Sequence, residues 1–339
     1  MIEPMRGRAW WVGGALAMVT VAFACVGEDA VGTPSPVADA APQVPTPPAD
    51  GAVVATPQDA GPDVVIPSDG GCDRTMPFTD FSPALGEVNK GGRNETAPRL
   101  SPDELVMWAT LGDPGAALVY LHRFERKSRT DPWVDKGLLF GESIARRELW
   151  PSRDGKRLYY AQAESSVWKL VGASFWDDGG VSGIAFLKGL DGFSDDLSPF
   201  LSDDEQELWM ASDQPAGPGG DYDLQRSVRV DGGWSKPERV SELNSTANEL
   251  HVVLTADRRT VYFTSARGRG GALLSIWTAT RPQPGDTFGA PTLVPDFAGF
   301  ETGNLSAAPG WLSPDECRMY FATNRDNGVD FDIYVASRR

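Results

Sequence analysis

Glu95, Asp196 and Glu249 hold the same place in a phrase that recurs along the chain, each eight residues before an aspartate (Asp103, Asp204 and Asp257) that reads as part of a turn. Equivalent places in a repeat fold to equivalent places in space. If the repeats surround an axis, the three acids converge on one mouth and could bind a cation, an amine or a basic peptide. Carboxylates held about 5–10 Å apart could also serve as acid and base on a glycosidic bond. Two other copies carry Arg146 and Ala307 at this place, so solvated loop carboxylates are the plainer reading. His251, two residues after Glu249, has the imidazole that a general base needs. No nucleophile signature such as G-x-S-x-G accompanies it, and a satisfied core or rim histidine explains it as well. No catalytic residue is assigned. Glu95, Asp196, Glu249 and His251 stand as candidate binding residues of a channel rim.

Metal chemistry has little to work with. The chain holds two histidines, His122 and His251, and three cysteines, Cys25, Cys72 and Cys317, with no pair at zinc-ligand spacing. Asp330-Phe331-Asp332 supplies part of a calcium loop, but the other ligands and the glycine are missing. Neither a metal nor a cofactor is expected. The formal charge of -16 argues against nucleic acid, whose phosphates need a basic groove, and against electrostatic docking on anionic lipid.

The elements that must position these residues come from the phrase itself. Its copies are Leu100–Thr110, Ser152–Ala161, Leu201–Ser212, Leu254–Arg267 and Leu312–Arg325. Anchored on Asp103, Asp154, Asp204, Asp257 and Asp315, the spacings are 51, 50, 53 and 58 residues, about the length of one four-stranded propeller blade. Ser/Thr-x-Asp reads as a turn whose side-chain oxygens bond nearby N–H groups, which makes these aspartates structural. The apolar run that follows, such as Val261-Tyr262-Phe263, reads as a strand buried on both faces. A hairpin and a second run come next, often ending in an arginine (Arg226, Arg281, Arg338). Arg99, Trp150, Phe200, Val253 and Trp311, four before each anchor, could face a channel or pack between blades; their mostly apolar character favours packing. A further strand candidate starts at Trp234 and again at Phe288. The fifth copy has none after it, and Phe81–Val88 matches the missing piece. An N-terminal strand should therefore complete the last blade and remove the open edge. Five blades are expected; six would follow if a degenerate copy lay in residues 171–200.

Arg6 and Arg8 precede an uncharged, mostly apolar run, Ala9–Ala24. As a helix it would rise about 24 Å, short of a bilayer span, and residues 1–24 read as a signal segment. Ala22-Phe23-Ala24 fits an ordinary cleavage site, while small residues before Cys25 also fit a lipid-modified cysteine. Acylation of Cys25 would leave Cys72 and Cys317 as one pair for a disulfide in an oxidising compartment. Residues 26–71 hold nine prolines, seven acidic residues and no Lys, Arg or aromatic residue, the composition of a disordered tether, and residues 72–339 make up the folded domain.

Leu-Ser-Pro-Asp-(Gly/Glu)-x-x-(Leu/Met)-(Tyr/Trp)-Phe-x-(Ser/Thr)-x-Arg with a later Asp-Ile-Tyr resembles the WD40-like propeller repeat of TolB, found in bacterial periplasmic and surface proteins. Residues 254–281 and 312–338 match best, and the resemblance spans residues 78–338. It implies an all-β propeller of four-stranded blades. TolB has six blades, a separate α/β domain and a lipoprotein partner; this chain has five phrases and no room for that second domain, so the partner is not carried over. The expected function is that of an exported, lipid-anchored module that binds or scaffolds an envelope protein, peptide or glycan, at the outer membrane, cell surface or periplasm, with membrane contact only through Cys25. The alternative is a carbohydrate-active enzyme, glycosidase or lyase, using channel-mouth carboxylates. Glu95, Glu148, Asp196 and Glu249 scattered over separate rims would weigh against that alternative. A surface protein whose repeats only present variable loops is a third reading.

Overall fold

The computed structural model describes residues 71–339 apart from 114–118, 142, 166, 177–179, 191–194, 215–221 and 271–272. The signal segment, Cys25 and the tether to residue 70 lie outside the described residues.

Every copy of the phrase builds the same turn. In the first, Ser101 Oγ donates to Asp103 Oδ1 (2.6 Å), which also accepts the Leu105 N–H (3.0 Å). Ser101 Oγ in turn accepts the Val106 N–H at 3.0 Å. Ser152/Asp154, Ser202/Asp204, Thr255/Asp257 and Ser313/Asp315 repeat the first contact. The residue after each aspartate is left-handed: Glu104, Gly155, Glu205, Arg258 and Glu316 have φ of 61, 68, 53, 55 and 62°. The turn aspartates are thus saturated by their own loops.

Each turn joins the first two strands of an antiparallel four-stranded blade. Blade 1 contains β2 (Asn94–Leu100), β3 (Val106–Gly112), β4 (Tyr120–Glu125) and β5 (Val134–Leu138), and is preceded in the chain by β1 (Asp80–Pro83). Blade 2 contains β6 (Arg146–Pro151), β7 (Arg157–Glu164), β8 (Val167–Phe175) and β9 (Val181–Phe186). In blade 3, β10 (Asp196–Leu201), β11 (Glu207–Ser212) and β12 (Asp223–Val230) are edged by two short pieces, β13 (Gly233–Trp234) and β14 (Glu238–Arg239). Blade 4 contains β15 (Glu249–Leu254), β16 (Thr260–Ser265), β17 (Ser275–Thr280) and β18 (Thr292–Leu293). After a 3-10 helix (Pro295–Phe300) come β19 (Ala307–Leu312), β20 (Arg318–Thr323) and β21 (Asp332–Ser337), and β1 pairs with β21 to complete blade 5. The propeller has five blades. The described residues of 171–200 form no sixth copy; they supply the end of β8, all of β9 and most of β10.

The borrowed strand sits three residues earlier than its sequence match suggests. In blades 3 and 4 an arginine at the end of the third strand or just past it stacks on the aromatic that leads to the outer one: Arg229 on Trp234 (4.1 Å) and Arg281 on Phe288 (4.4 Å). Arg126 on Trp133 (4.2 Å) and Arg338 on Phe78 (4.2 Å) do the same in blades 1 and 5. Phe78, and not Phe81, is therefore the repeat's aromatic, and Arg229, not Arg226, is blade 3's repeat arginine. Phe81 instead packs with Phe297, Phe300 and Phe321 at centroid distances of 5.5, 4.8 and 6.2 Å, sealing the joint between blades 4 and 5. The Cys72–Cys317 disulfide, with Cα atoms 5.7 Å apart, staples the same closure.

Blades also grip one another through the left-handed turn residues. Glu104 reaches back to Arg318 (2.7 Å), Glu205 to Arg157 (2.6 Å) and Arg258 to Glu207 (3.4 Å). In every case the partner is the residue three after the anchor aspartate of the preceding blade. The same places in the other joints hold Gly155 with Val106 and Glu316 with Thr260, where no ion pair can form; Glu316 takes Arg74 instead, at 3.6 Å.

Removing one partner of a buried pair leaves the other charge stranded, so Glu104→Ala, at a side chain 1% exposed, should cost about 3–5 kcal/mol of unfolding free energy. Glu205→Ala, whose partner Arg157 is 48% exposed, should cost under about 1 kcal/mol. Denaturant titration of both variants checks the contrast. Replacing Cys72 and Cys317 together by Ser should remove about 5 kcal/mol in the chain-entropy account, read as a fall in melting temperature of roughly 10 °C or more.

Candidate functional site

Each innermost strand is bulged at one place, and the residue six before the anchor aspartate sits there. In four blades it is left-handed: Ala97, Glu148, Ser198 and His251, with φ of 49, 57, 53 and 52°. In blade 5 the place is Pro309, whose locked φ forbids that conformation, and Gly310 follows it. A Cβ on Gly310 would lie 2.4 Å from Pro98 Cγ, so blades 5 and 1 approach there as closely as a bare glycine allows. A bulge turns its side chain out of the alternating pattern of the strand, and the contacts show where these side chains meet.

Glu148 of blade 2 lies at the centre. Its Oε2 accepts the backbone N–H and the hydroxyl of Ser198 in blade 3, at 2.6 and 2.8 Å. Its Oε1 lies 3.8 Å from Nε2 of His251 in blade 4, a contact between non-adjacent blades and hence across the axis. Arg147 Nη2 is 2.5 Å from the same oxygen, off the line that a hydrogen bond needs. The Glu148 N–H donates to Thr110 Oγ1 of blade 1 at 2.8 Å, and His251 Nδ1 is 3.2 Å from Thr264 Oγ1. Burial opposes ionisation of Glu148, but Arg147, His251 and Ser198 outweigh it and hold the carboxyl well below the usual range.

Arg99 of blade 1 closes the blade 1 to blade 5 side. It is fully buried, donates from Nη1 to the carbonyls of Gly310 and Pro98, and lies over the Trp150 ring at 4.8 Å. Burial brings its guanidinium down to about 9, against the pull of Glu148. Its Nε and Nη2 have no hydrogen-bond partner among the described residues.

The three carboxylates expected at the rim are buried and bonded within their own repeats, with Glu95 Oε2 alone left without a partner among the described residues. Glu95 takes Arg93 Nε at 2.5 Å and the Lys90 N–H at 3.3 Å. Asp196 accepts the Ser212 hydroxyl at 2.7 Å. Glu249 accepts both the Ser245 N–H and hydroxyl, the Ser265 hydroxyl at 2.6 Å, and Arg267 at 3.1 Å. The residue before each also serves a joint: Asn94, Asp195 and Asn248 accept the N–H of Phe331, Trp168 and Tyr222 in the preceding blade. His251 is the one rim candidate that reaches the axial cluster, where it meets Glu148.

Chemically, the cluster offers one ionised carboxylate and a serine that donates its proton to it. Ser198 is 1% exposed, and the carboxylate stands between hydroxyl and imidazole, so no relay from serine to histidine exists. Among the described residues no group of three or more His, Cys, Asp or Glu is arranged to hold a metal ion.

The buried acids set a pH dependence. Burial raises Glu95 to about 7 against the pull of Arg93, and raises Glu301 to about 7 against the Ile276 N–H. A carboxyl whose folded value lies above the unfolded one, about 4.3, binds more protons in the native state between the two, so stability falls as pH rises through that window. Glu148 works the other way, and so do Asp154, Asp204, Asp257 and Asp315, where turn hydrogen bonds outweigh burial; their contribution is lost in acid. Melting temperature should peak near pH 5 and decline toward pH 8, and Glu95→Gln should make that decline shallower. Melting curves across pH check both slopes.

No family model matches the chain, and no curated protein matches it. Solved structures match its fold. The catalytic domain of Coprinopsis cinerea GH62 alpha-L-arabinofuranosidase is 10% identical, with a TM-score of 0.50 over 78% of this chain and 98% of that one. A glycosyl hydrolase from Bacteroides ovatus is 11% identical, with a TM-score of 0.50 over 78% and 96%. TolB from Acinetobacter baumannii is 11% identical, with a TM-score of 0.42 over 72% and 54%; the chain spans about half the length of that protein. At these identities the likeness is one of fold alone: an all-β propeller, with glycoside hydrolases among its structural neighbours.

Proposed function

We propose that the chain works outside the cytoplasm as a β-propeller that binds or scaffolds an envelope protein, peptide or glycan, held to a membrane by a lipid on Cys25. The observation that carries the binding reading is the state of the channel acids. A glycosidase needs one carboxyl kept protonated and a second left free to act. Glu148 is instead held ionised, with Oε2 bonded by Ser198 and Oε1 facing Arg147 and His251; Glu95, the acid that burial does raise, is tied to Arg93 in blade 1, and Asp196 and Glu249 are bonded within their own blades. Those partners support a rigid polar plug at the axis, which leaves the blade faces and loops as the surfaces for a partner.

Export is supported by the basic and apolar opening segment and by the disulfide, a bond that persists in oxidising compartments. A Pro-rich tether of the composition found in residues 26–71 extends about 3.1 Å per residue, on the order of 100 Å in all, enough to hold the propeller clear of a bilayer.

The mature chain, used as bait against envelope extract beside a glycan array, should retain a partner without releasing product. Released sugar would overturn the binding reading. Separately, mass spectrometry of the mature N-terminus should find Cys25 acylated, and Cys25→Ser should move the protein from the membrane to the soluble fraction.

A further inference from the structure

We infer that a second site, between blades 3 and 4, binds a carboxylate group. It lies on the turn side of the ring, away from the axis, and does not depend on the partner proposed above. Its floor is Arg281, the arginine that follows β17. The Arg281 N–H donates to Arg259 O (2.8 Å) and its Nε to Arg258 O (2.8 Å), while its guanidinium lies 4.4 Å from the centroid of Phe288. The side chain is 1% exposed, and among the described residues Nη2 has no hydrogen-bond partner, an ion-pair oxygen, Glu207 Oε2, lying 3.9 Å away. A buried donor with no acceptor carries a full desolvation penalty, and this one lines a cavity of about 140 Å³.

Two more arginines line the same cavity, Arg226 and Arg239. Arg239 is tied to Asp223 through Nη2 at 2.8 Å, but its Nε has no hydrogen-bond partner among the described residues. The side chain of Arg226 has no hydrogen bond or ion pair among the described residues, and its charge lowers the pKa of Arg281. It is also the arginine that the repeat does not explain, because Arg229 fills the repeat's place and stacks on Trp234. Arg226 stands in one cross-strand row with Trp209 and Glu238, and both of those residues line the cavity as well.

The chemistry of the lining selects the ligand. Two of the cavity's carboxylates are engaged by backbone: Glu242 accepts the Phe288 N–H at 3.3 Å and Asp286 the Gln283 N–H at 3.1 Å. They and Glu238 oppose any second negative charge. A planar monoanion suits converging guanidinium groups, which recognise carboxylates in a bidentate fork; a dianionic phosphate meets three carboxylates in the same space. The volume accommodates a carboxylate on a short carbon stem, such as a peptide C-terminus or an acidic sugar.

Calorimetry and thermal shift on the mature chain test this, with acetate, N-acetylglycine and glucuronate as probes. Chloride at equal ionic strength, the methyl ester of N-acetylglycine and inorganic phosphate serve as controls. Saturable binding of at least one carboxylate is expected, tighter than phosphate and absent for the ester, with N-acetylglycine against glucuronate separating peptide from sugar sources. Arg226→Gln, at a half-buried position outside the repeat, should weaken binding tenfold or more while leaving the melting temperature of the free protein within a degree or two. Glu238→Gln, at the exposed rim, should tighten it severalfold. A cavity that holds only water, seen as no saturable binding by any carboxylate, would overturn the proposal. So would phosphate binding more tightly than carboxylate, or unchanged affinity in Arg226→Gln.

Discussion

The ring depends on one small turn made five times. A Ser or Thr hydroxyl and an Asp carboxylate close it locally, and the closure forces the next residue into the left-handed region. For a residue with a Cβ that conformation costs on the order of 1 kcal/mol, offset here by the hydrogen bonds of the turn. The geometry then has a long-range consequence. The left-handed residue points back over the preceding blade, so the turn that pairs two strands also places Glu104, Glu205 and Arg258 against Arg318, Arg157 and Glu207. Local backbone chemistry and the order of blades in the ring are thereby coupled. The joints are not equal: the blade 5 to blade 1 pair is buried, and that joint also holds the Pro98–Gly310 approach. Closure of the ring is concentrated where the chain ends must meet.

What could be read from residue order follows the range of the interactions. Ser/Thr-x-Asp and the apolar run after it are contiguous, so the blades, their number and the borrowed strand were legible. The register of that strand was not. Phe78 and Phe81 both precede an extended segment, and the choice between them is made by Arg338, which lies far along the chain and stacks on Phe78. Arg226 and Arg229 pose the same problem in one blade. Both end a run of alternating residues, and only the Trp234 contact marks Arg229 as the repeat arginine. The second blade, weakest in motif, has the longest third strand and an outer strand that is largely exposed.

The axial cluster was hidden for a different reason. A period-two reading sets the places eight, six and four before the anchor on one face, and the carboxylates eight before it are the most conspicuous. The bulge breaks that alternation between the places six and four before the anchor. Left-handed backbone is announced in a sequence by glycine, yet these positions hold Ala97, Glu148, Ser198 and His251. The one available signal was that this column is the least uniform of the innermost strand. His251 was singled out for its nearness to Glu249, but its acidic neighbour is Glu148, two blades away.

Charge is distributed in this molecule so that contact, and not attraction at a distance, must choose its ligands. The formal charge is -16, and at physiological salt such a field is screened beyond about 8 Å, so an anion is neither drawn in from afar nor repelled for long. Within that distance the local arrangement decides. At the axis, Glu148 and Arg99 are buried in one cluster, where Arg147, Ser198 and His251 of the chain itself hold the carboxylate ionised. Between blades 3 and 4, Arg281 is buried without a full set of acceptors and Arg226 is left unpaired among the described residues. Burying a guanidinium is costly unless each donor finds an acceptor. An arrangement that leaves donors open beside a cavity is one whose last hydrogen bonds are completed from outside the chain.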